Sequence, residues 1–410
     1  MKKKFAFFLL FFTVFSQTDK EVKKSDIFNY TETYRFNSVP DNGSYSIKFN
    51  DVDGDLNIQG HFGEGVIIKI THSLHWTAFH HGITSKRENI MDVFHDEILG
   101  EITIQKQKEE KIPRLESSFL LSVPININIH AKTNGGDIRV NEIQGDVKLI
   151  SDGGNIGIIN MQGNIFIQTN NGNILIKNSI GNYRAHATGG MIDIFNNEGS
   201  YNVSTIGGDI RLNNLTGNTE LMTIGGSIFI HKLIGDNLTC RSSSGNIIAE
   251  EVVGNFSAET NDGDIDIQSL DGFCNLSVSN GNIRADYLKG KLILDAINGN
   301  IIGENIYGSV QAYTSSGDIN FSIMFDSEIF DYSVNLESRI GDVRVSIPKN
   351  LPVNIQAEIS GGRLAGDISS DIPLNLDNSH SNITAKGFVN EGVIPLTLFT
   401  GEGYITIIEN

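Results

Sequence analysis

Glycine recurs every nine residues through the middle of the chain, and this spacing constrains the fold more than any other feature. From Gly136 the nine-residue step runs without a miss to Gly235; after one inserted residue it resumes at Gly245 and runs to Gly317. About half of the 43 glycines lie on this grid. A fixed short period is the signature of a repeat architecture in which each unit packs against the next.

Two kinds of nine-residue unit alternate, so the true period is eighteen residues. In the first kind, an isoleucine always stands two residues after the glycine, and a mostly apolar residue follows two further on. Residues two apart share a face only in a strand, so each unit is a short strand with one buried face. We expect the isoleucines to stack as a structural ladder through the interior. The predicted ladder comprises Ile138, Ile156, Ile174, Ile192, Ile210, Ile228, Ile247, Ile265, Ile283, Ile301 and Ile319.

Two strands and two turns in each period describe one coil of a β-solenoid. The sequence therefore predicts an all-β fold: a single-stranded β-solenoid (β-helix) of about 18 residues per coil, built as two nine-residue units, with β-rich N- and C-terminal caps. A triangular coil of three six-residue sides has the same length, but the glycine period of nine favours two sides. We expect glycine at the turns because it adopts positive φ without steric cost. Asp or Asn beside it, as in Asp137 and Asn155, should bond backbone groups at the turn.

The single inserted residue provides a check on this scheme. If it falls just after Gly235, Leu238 and Cys240 keep the two inward positions of their strand; a slip within the strand would turn apolar residues outward. Cys240 and Cys274 then lie inward in coils two apart, about 10 Å by strand spacing, which is beyond disulfide reach. We expect two buried free thiols.

Four segments are expected along the chain. They are a signal peptide (1–16), an N-terminal β-rich cap region (17–120), the regular β-solenoid (121–322), and C-terminal solenoid coils with an insertion and a cap (323–410). Within the cap region, the apolar pattern predicts strands over Tyr45–Asn57, Val66–Thr71 and Glu101–Gln105.

The first sixteen residues have the pattern of a secretory signal peptide. Three lysines at positions 2–4 precede the apolar run Phe5–Phe15, and Val14 and Ser16 suit a cleavage site. An uncleaved anchor or a buried N-terminal strand are the alternatives. No later run reaches membrane-spanning length, so no transmembrane segment is expected after signal removal. We expect an extracytoplasmic location: periplasm, cell surface or secreted.

Charge and cysteine content exclude several classes of protein. The net charge of −18 argues against a partner that is nucleic acid or an anionic membrane, since either would require a basic face. Two cysteines exclude a disulfide scaffold and a cysteine-rich zinc protein. No cofactor is expected.

Histidine supplies the candidate metal ligands, His72, His75, His80 and His81. The preceding segment reads as a strand, which would send His72 and His75 to opposite faces, and no carboxylate or cysteine pattern completes a site. We therefore assign no metal there and interpret these residues as surface or cap histidines. The glycine–aspartate turns lack the third glycine and later aspartate of calcium-binding nonapeptide repeats, so a structural ladder is favoured over calcium.

The repeat leaves little room for catalysis, and we predict that the chain is not an enzyme. Between residues 136 and 317 there is no long loop from which a cleft could be built. Outward acidic residues such as Asp193, Asp266 and Asp286 read as a solvated face.

Several of these motifs together resemble a family. They are the Val-Pro strand before TNGGDIRV (133–140), the alternating glycine–Asx–apolar units and the closing GEGYITII (401–408). The pattern is similar to bacterial putative-adhesin domains of unknown function and, more loosely, to head-GIN putative adhesins, over about residues 45–410. The resemblance implies a secreted or envelope-associated β-solenoid and supplies no catalytic residues.

The leading functional hypothesis is a non-enzymatic adhesion or interaction module. Its partner would be an unknown protein or glycan at the cell surface. The alternatives are an envelope-stress or regulatory sensor domain and a polysaccharide-active β-helix enzyme. A deep acidic groove would favour the enzyme over the module.

Overall fold

The described part of the molecule is entirely β-structure. The structure, a computed structural model, describes residues 19–24, 29–74, 90–107, 115–361, 366–379 and 382–410, and these contain 35 strands and no helix. A helix able to cross a membrane is accordingly absent from these ranges. The predicted signal peptide lies outside them. The chain divides into two compact units, residues 1–134 with 140–145 and residues 135–139 with 146–410.

The first unit combines parallel and antiparallel strands. Its strands are β1 (Asp19–Lys24), β2 (Asn29–Phe36), β3 (Ser46–Asp53), β4 (Asp55–His61), β5 (Val66–Leu74), β6 (Met91–Asp96), β7 (Glu101–Lys106), β8 (Leu115–Pro124), β9 (Asn128–Gly135) and the later residues of β10 (Ile138–Gln144). β4 pairs in parallel with β8, and β5 runs antiparallel to both β8 and β2. β3 pairs in parallel with β7, which pairs antiparallel with β6.

The predicted strands of this unit are present, with one correction. The segment expected as the single strand Tyr45–Asn57 is two strands, β3 and β4, because Gly54 between them has a φ of 123° that interrupts the extended backbone. The two groups of strands share a core in which the rings of Phe49 in β3 and Phe119 in β8 meet edge to face at 5.6 Å.

The second unit contains the regular coils. Its strands are β11 (Val147–Ser151), β12 (Ile156–Gln162), β13 (Ile165–Thr169), β14 (Ile174–Lys177), β15 (Ile180–Ala187), β16 (Ile192–Thr205), β17 (Ile210–Thr216), β18 (Thr219–Thr223), β19 (Ile228–Ser242), β20 (Ile247–Asp262), β21 (Ile265–Asp271), β22 (Cys274–Asn280), β23 (Ile283–Lys289), β24 (Leu292–Asn298), β25 (Ile301–Ile306), β26 (Val310–Ser316), β27 (Ile319–Ile323), β28 (Val334–Ile340), β29 (Val343–Ile347), β30 (Val353–Ile359), β31 (Ile368–Ser370), β32 (Asn375–Asn378), β33 (Ile383–Phe388), β34 (Ile394–Glu402) and β35 (Ile405–Glu409).

These coils stack in parallel with the predicted register. Ile192 pairs with Ile210 in the next coil, and Ile210 pairs with Ile228. All eleven ladder isoleucines are buried. The fold is therefore a β-solenoid, and burial of the ladder contributes about 1.5–3 kcal/mol per isoleucine.

The inserted residue is absorbed at a turn, as predicted. The register shifts between Ile234 and Asn237, after which Leu238 and Cys240 are both buried. Cys240 and Cys274 are free and buried. Burial raises the pKa of both thiols, which keeps them protonated and unreactive.

A left-handed residue bends the first arm in ten of the eleven coils that start at a ladder isoleucine. Ile158 and Met161 are both buried although they lie three apart, which a regular strand does not allow. Asn160 between them has a φ of 55°, and this break in the alternation turns both neighbours inward. Asparagine tolerates this conformation well and occupies the position in half of the coils. The left-handed residues are Glu142, Asn160, Asn178, Asn196, Asn214, Lys232, Glu251, Ser269, Tyr287 and Asn305.

The turn positions are restricted to glycine mainly by close packing, and the expectation that positive φ explains all of the turn glycines is wrong. Gly217 and most other glycines at the second turn have positive φ, 130° for Gly217, but Gly145 and Gly235 do not. Gly154 and most of its equivalents at the first turn do not have it either. A Cβ at Gly154 would overlap the carbonyl oxygen of Gly136 in the preceding coil, and a Cβ at Gly217 would overlap that of Gly199. Glycine is required there because stacked backbones approach too closely for a side chain.

Polar side chains close the first turn from outside and from inside. On the outside, Asn155 Oδ1 accepts a hydrogen bond from the backbone N–H of Asn173 in the next coil at 2.9 Å, which confirms the predicted Asx ladder. On the inside, the buried Thr205 hydroxyl donates to the Gly190 carbonyl at 3.0 Å and accepts from the Gly208 N–H at 3.2 Å. Both bonds satisfy backbone groups that the turn would otherwise leave unpaired.

The C-terminal part of this unit departs from the regular pattern. Residues 324–333 form an insertion between β27 and β28. β28 then pairs in parallel with β34, and β29 with β35. The antiparallel strands β32 and β33 lie beyond β30. β32 is four residues long with every side chain exposed, features that discourage pairing with another chain.

Candidate functional site

A groove opens on the first face of the second unit, meaning the outward side chains of the arms that start at ladder isoleucines. Its volume is about 260 Å³, and the inward residues Leu212 and Ile230 lie beneath it. The side chains around it are Phe195, Arg211, Asn213, Phe229, His231, Ile248 and Glu250. We call this feature the groove.

The strand register explains why these residues converge. One outward column contains Asp193, Arg211, Phe229 and Ile248, and the neighbouring column contains Phe195, Asn213, His231 and Glu250. Each step along a column is one coil, about 4.8 Å. Phe195 and Phe229 therefore lie two coils apart, in neighbouring columns of the groove, with Arg211 and Asn213 in the coil between them.

Arg211 is positioned by two neighbours. Its guanidinium lies 3.7 Å from the Asp209 carboxylate and 5.8 Å from the centre of the Phe229 ring. The ion pair is partly exposed and contributes little stability. The guanidinium thus lies over the aromatic ring while remaining partly exposed at the groove.

The neighbouring column places an acid and a base together. The Nδ1 atom of His231 lies 3.3 Å from the Glu250 carboxylate, and both side chains are exposed. Beside Arg211, Asp193 has one carboxylate oxygen that is buried without a hydrogen-bond partner in the described structure. Burial raises the pKa of Asp193, an effect that the positive charge of Arg211 partly offsets.

The groove has the chemistry of a binding site. Its two phenylalanine rings offer apolar faces, and its arginine, asparagine, histidine and glutamate offer directed donors and acceptors. The lining residues include no hydroxyl, thiol or amine nucleophile. Because the side chains stand on hydrogen-bonded strands, their positions are fixed more firmly than those of loop residues.

A second opening lies on the second face, the outward side of the other arms. Its volume is about 240 Å³, and its lining includes Lys291, Gln311, Asp331 and Asn335. The Ser333 backbone N–H donates to Asp331, and this bond holds the pKa of that carboxyl below its usual range. The opening has no aromatic residue in its lining, so the groove is the stronger candidate.

Of the four candidate histidine ligands, the structure describes one. His72 lies in β5, fully buried, with Nδ1 2.9 Å from the Ser117 hydroxyl and its ring 4.8 Å from that of Tyr30. His75, His80 and His81 lie outside the described residues. Within the described ranges, no group of three or more His, Cys, Asp or Glu side chains could hold a metal ion.

The ladder isoleucines and the groove occupy opposite sides of the same strands. The ladder could be predicted from the sequence because its period is strict, whereas the groove was not predicted. Phe195 and Phe229 are 34 residues apart, and they converge only when the chain is arranged in rows of eighteen. Aligning the sequence in rows of eighteen residues would have placed these two phenylalanines near each other.

One known protein family matches the C-terminal part of the chain. Residues 231–408 match the family described as Toastrack DUF4097. This segment is therefore similar to Toastrack domains. It includes the coils from β19 to β35 and confirms the resemblance to domains of unknown function over those residues. The groove is lined by His231, Ile248 and Glu250 of the matched segment and otherwise by residues that precede it.

Two solved structures are also similar to the chain. One, named a putative cell adhesion protein from Clostridium sporogenes, is 10% identical over 96% of this chain and 100% of its own, with a TM-score of 0.16. The other, named a putative adhesin from Bacteroides fragilis, is 15% identical over 60% of this chain and 95% of its own, with a TM-score of 0.24. Scores this low carry no functional argument. No curated protein matches the chain significantly.

Proposed function

We propose that this chain is a non-enzymatic, extracytoplasmic interaction module that holds a ligand in the groove. The observation that carries the proposal is the pair of aromatic rings flanking a fixed guanidinium on a rigid sheet. Aromatic residues and arginine are the side chains that dominate binding energy at interfaces. The signal-like segment at residues 1–16 supports the proposed location.

The interior of the coils supports a binding role over a catalytic one. The ordered hydroxyl and amide side chains of the turns are used for the ladders, as in Thr205 and Asn155. The groove is open and mixed in charge, unlike the acidic cleft that a glycoside hydrolase of two carboxylates would require. A surface glycan or protein is the proposed partner.

An array of glycans and matrix proteins tests this proposal. The protein lacking residues 1–16 should bind at least one member, and Phe229→Ala should weaken that binding about tenfold or more, because the ring supplies apolar contact area. Phe195→Ala should act in the same direction.

Tyr313→Ala is the matched control. Tyr313 is an outward aromatic residue on the second face, where its hydroxyl bonds Ser315 at 3.1 Å. Its loss should leave the binding unchanged. Failure of the wild-type protein to bind any member, or equal weakening by the control, would contradict the proposed site.

A further inference from the structure

A second feature, on the second face, is a column that alternates cation, ring and cation. Lys148 pairs with Phe166 in the next coil, and Phe166 pairs with Arg184 in the one after. The Lys148 ammonium lies 5.5 Å from the centre of the Phe166 ring. Both cations are exposed, and the ring is half-buried. We call these three residues the basic column.

Charge is segregated along this face. The carboxylates among its outward residues, Glu220, Glu259, Asp295 and Glu337, all lie in later coils. Among the described residues, the ion pairs include neither Lys148 nor Arg184. The later cation Arg241 is instead paired with Glu259 at 3.5 Å. A chain with a net charge of −18 thus presents two uncompensated cations in its first coils.

The residues around the basic column add hydrogen-bond donors, and the nearby carboxylates are held away from an anionic ligand. Gln168 and His186 stand beside it in the neighbouring outward column. The nearest turn carboxylates accept hydrogen bonds from asparagine side chains: Asp146 from Asn164 at 2.9 Å, and Asp152 from Asn170 at 3.2 Å. These bonds hold the carboxylates at the turns.

We propose that the basic column is a binding site for an anionic polysaccharide, separate from the groove and independent of the function proposed for it. The two cations are two coils apart, about 10 Å, and would each neutralise a sulfate or carboxylate. The Phe166 ring between them offers a face to a sugar ring. Gln168 and His186 are placed to bond hydroxyl groups.

Charge density favours a polysaccharide over a nucleic acid. A nucleic acid carries a phosphate at every residue and would meet the acidic coils that follow the column. A polysaccharide with one acidic group on alternate rings matches two cations separated by an aromatic residue.

Heparin, a sulfated polysaccharide, is the probe for this site, with uncharged dextran and single-stranded DNA of similar length alongside. The intact protein should bind heparin and neither of the others. The dissociation constant should rise with salt, because binding releases counterions from the polyanion. The Lys148→Ala/Arg184→Ala variant should bind about tenfold or more weakly, with its log–log salt slope smaller by about one to two.

The control variant Arg241→Ala/Arg284→Ala changes the net charge equally. Both arginines are exposed and paired with glutamates, at 3.5 Å and 2.9 Å. It should bind heparin as the wild type does. Phe166→Leu, which keeps an apolar side chain but removes the ring, should weaken binding at a nearly unchanged salt slope.

Three results would overturn the proposal: no heparin binding, equal loss in the control, or tighter binding of DNA than of heparin. Phe229→Ala in the groove should leave heparin binding intact. A result that contradicts the polysaccharide site at the basic column can therefore be distinguished from one that contradicts the ligand site in the groove.

Discussion

At the scale of the residue, the distance between stacked backbones decides which positions can carry a side chain. Adjacent glycines at one turn differ completely in this respect. A Cβ at Gly153 would have no neighbour within 4 Å, whereas one at Gly154 would overlap the carbonyl oxygen of Gly136. The sequence shows two glycines, and only the structure shows that one of them is obligatory.

The pair Gly153→Ala and Gly154→Ala should separate these roles. We expect Gly154→Ala to destabilise the protein by about 3 kcal/mol or more, because the coils would have to part. Gly153→Ala should change the stability by less than about 1 kcal/mol, because the added methyl group would meet no neighbour within 4 Å. Denaturant unfolding of both variants measures the difference. Equal effects would contradict close approach as the cause.

The left-handed column contains a residue poorly suited to it. Tyr287 has a φ of 60°, where a non-glycine side chain crowds the following carbonyl. Asparagine tolerates this conformation and occupies it at Asn214. Tyr287→Asn should therefore raise the unfolding free energy by about 1 kcal/mol.

The reverse change, Asn214→Tyr, is the control for that prediction. It should destabilise the protein by at least as much, because it also removes the bond from Asn214 to Asn196. Thermal unfolding of both variants gives the comparison. A loss of stability in Tyr287→Asn would show that backbone strain is not the dominant effect.

At the scale of the element, the strands of regular coils could be predicted and the bend within them could not. Alternation of buried residues gives the two arms of each coil directly. The third inward residue of the first arm, such as Met161, is apolar in most coils, but strand alternation alone does not explain why it is buried. The cause is the left-handed residue before it, and asparagine at Asn160 and Asn178 was the available signal.

A buried histidine makes one element of the first unit sensitive to acid. His72 in β5 is surrounded by Tyr30, Ser117 and the nearby charges of Glu32 and Lys20. Burial lowers the pKa of His72 from 6.5 to about 4, opposed by Glu32 and reinforced by Lys20. Between these two values the unfolded chain binds a proton that the folded chain does not.

The stability of the first unit should therefore fall as the pH drops from 6.5 to 4. Above pH 6.5 the neutral His72 makes its full contribution to the free energy of unfolding. As the pH falls below 6.5, this contribution should decrease by up to about 1.4 kcal/mol per pH unit, so that the total loss at pH 4 is about 3 kcal/mol. His72→Gln, which cannot titrate, is the reference. Denaturant unfolding at several pH values should show wild type and variant diverging in this range, and parallel curves would refute the assignment.

At the scale of the whole molecule, the strict repeat made the buried positions predictable from the sequence but not the surface sites. Inward positions such as Ile210 and Leu238 follow from the period alone, because each coil repeats its neighbour. The groove and the basic column arise from outward residues that the period does not constrain. The proximity of Phe195 and Phe229 depends on which outward residues fall in neighbouring columns, and the register supplies that information.

The inside hydroxyls of the first turn, such as that of Thr205, are missing from some coils, and this has a mechanical consequence for the second unit. Val278 and Ala296 occupy the equivalent position in two successive coils and cannot supply the hydroxyl bond that Thr260 makes to Gly245. Tension along the stacking direction loads all coil interfaces in series, so rupture starts at the weakest. We expect that interface to lie at these two coils. Single-molecule pulling should record a higher first rupture force for Val278→Thr than for the wild type, and an unchanged force would place the weak interface elsewhere.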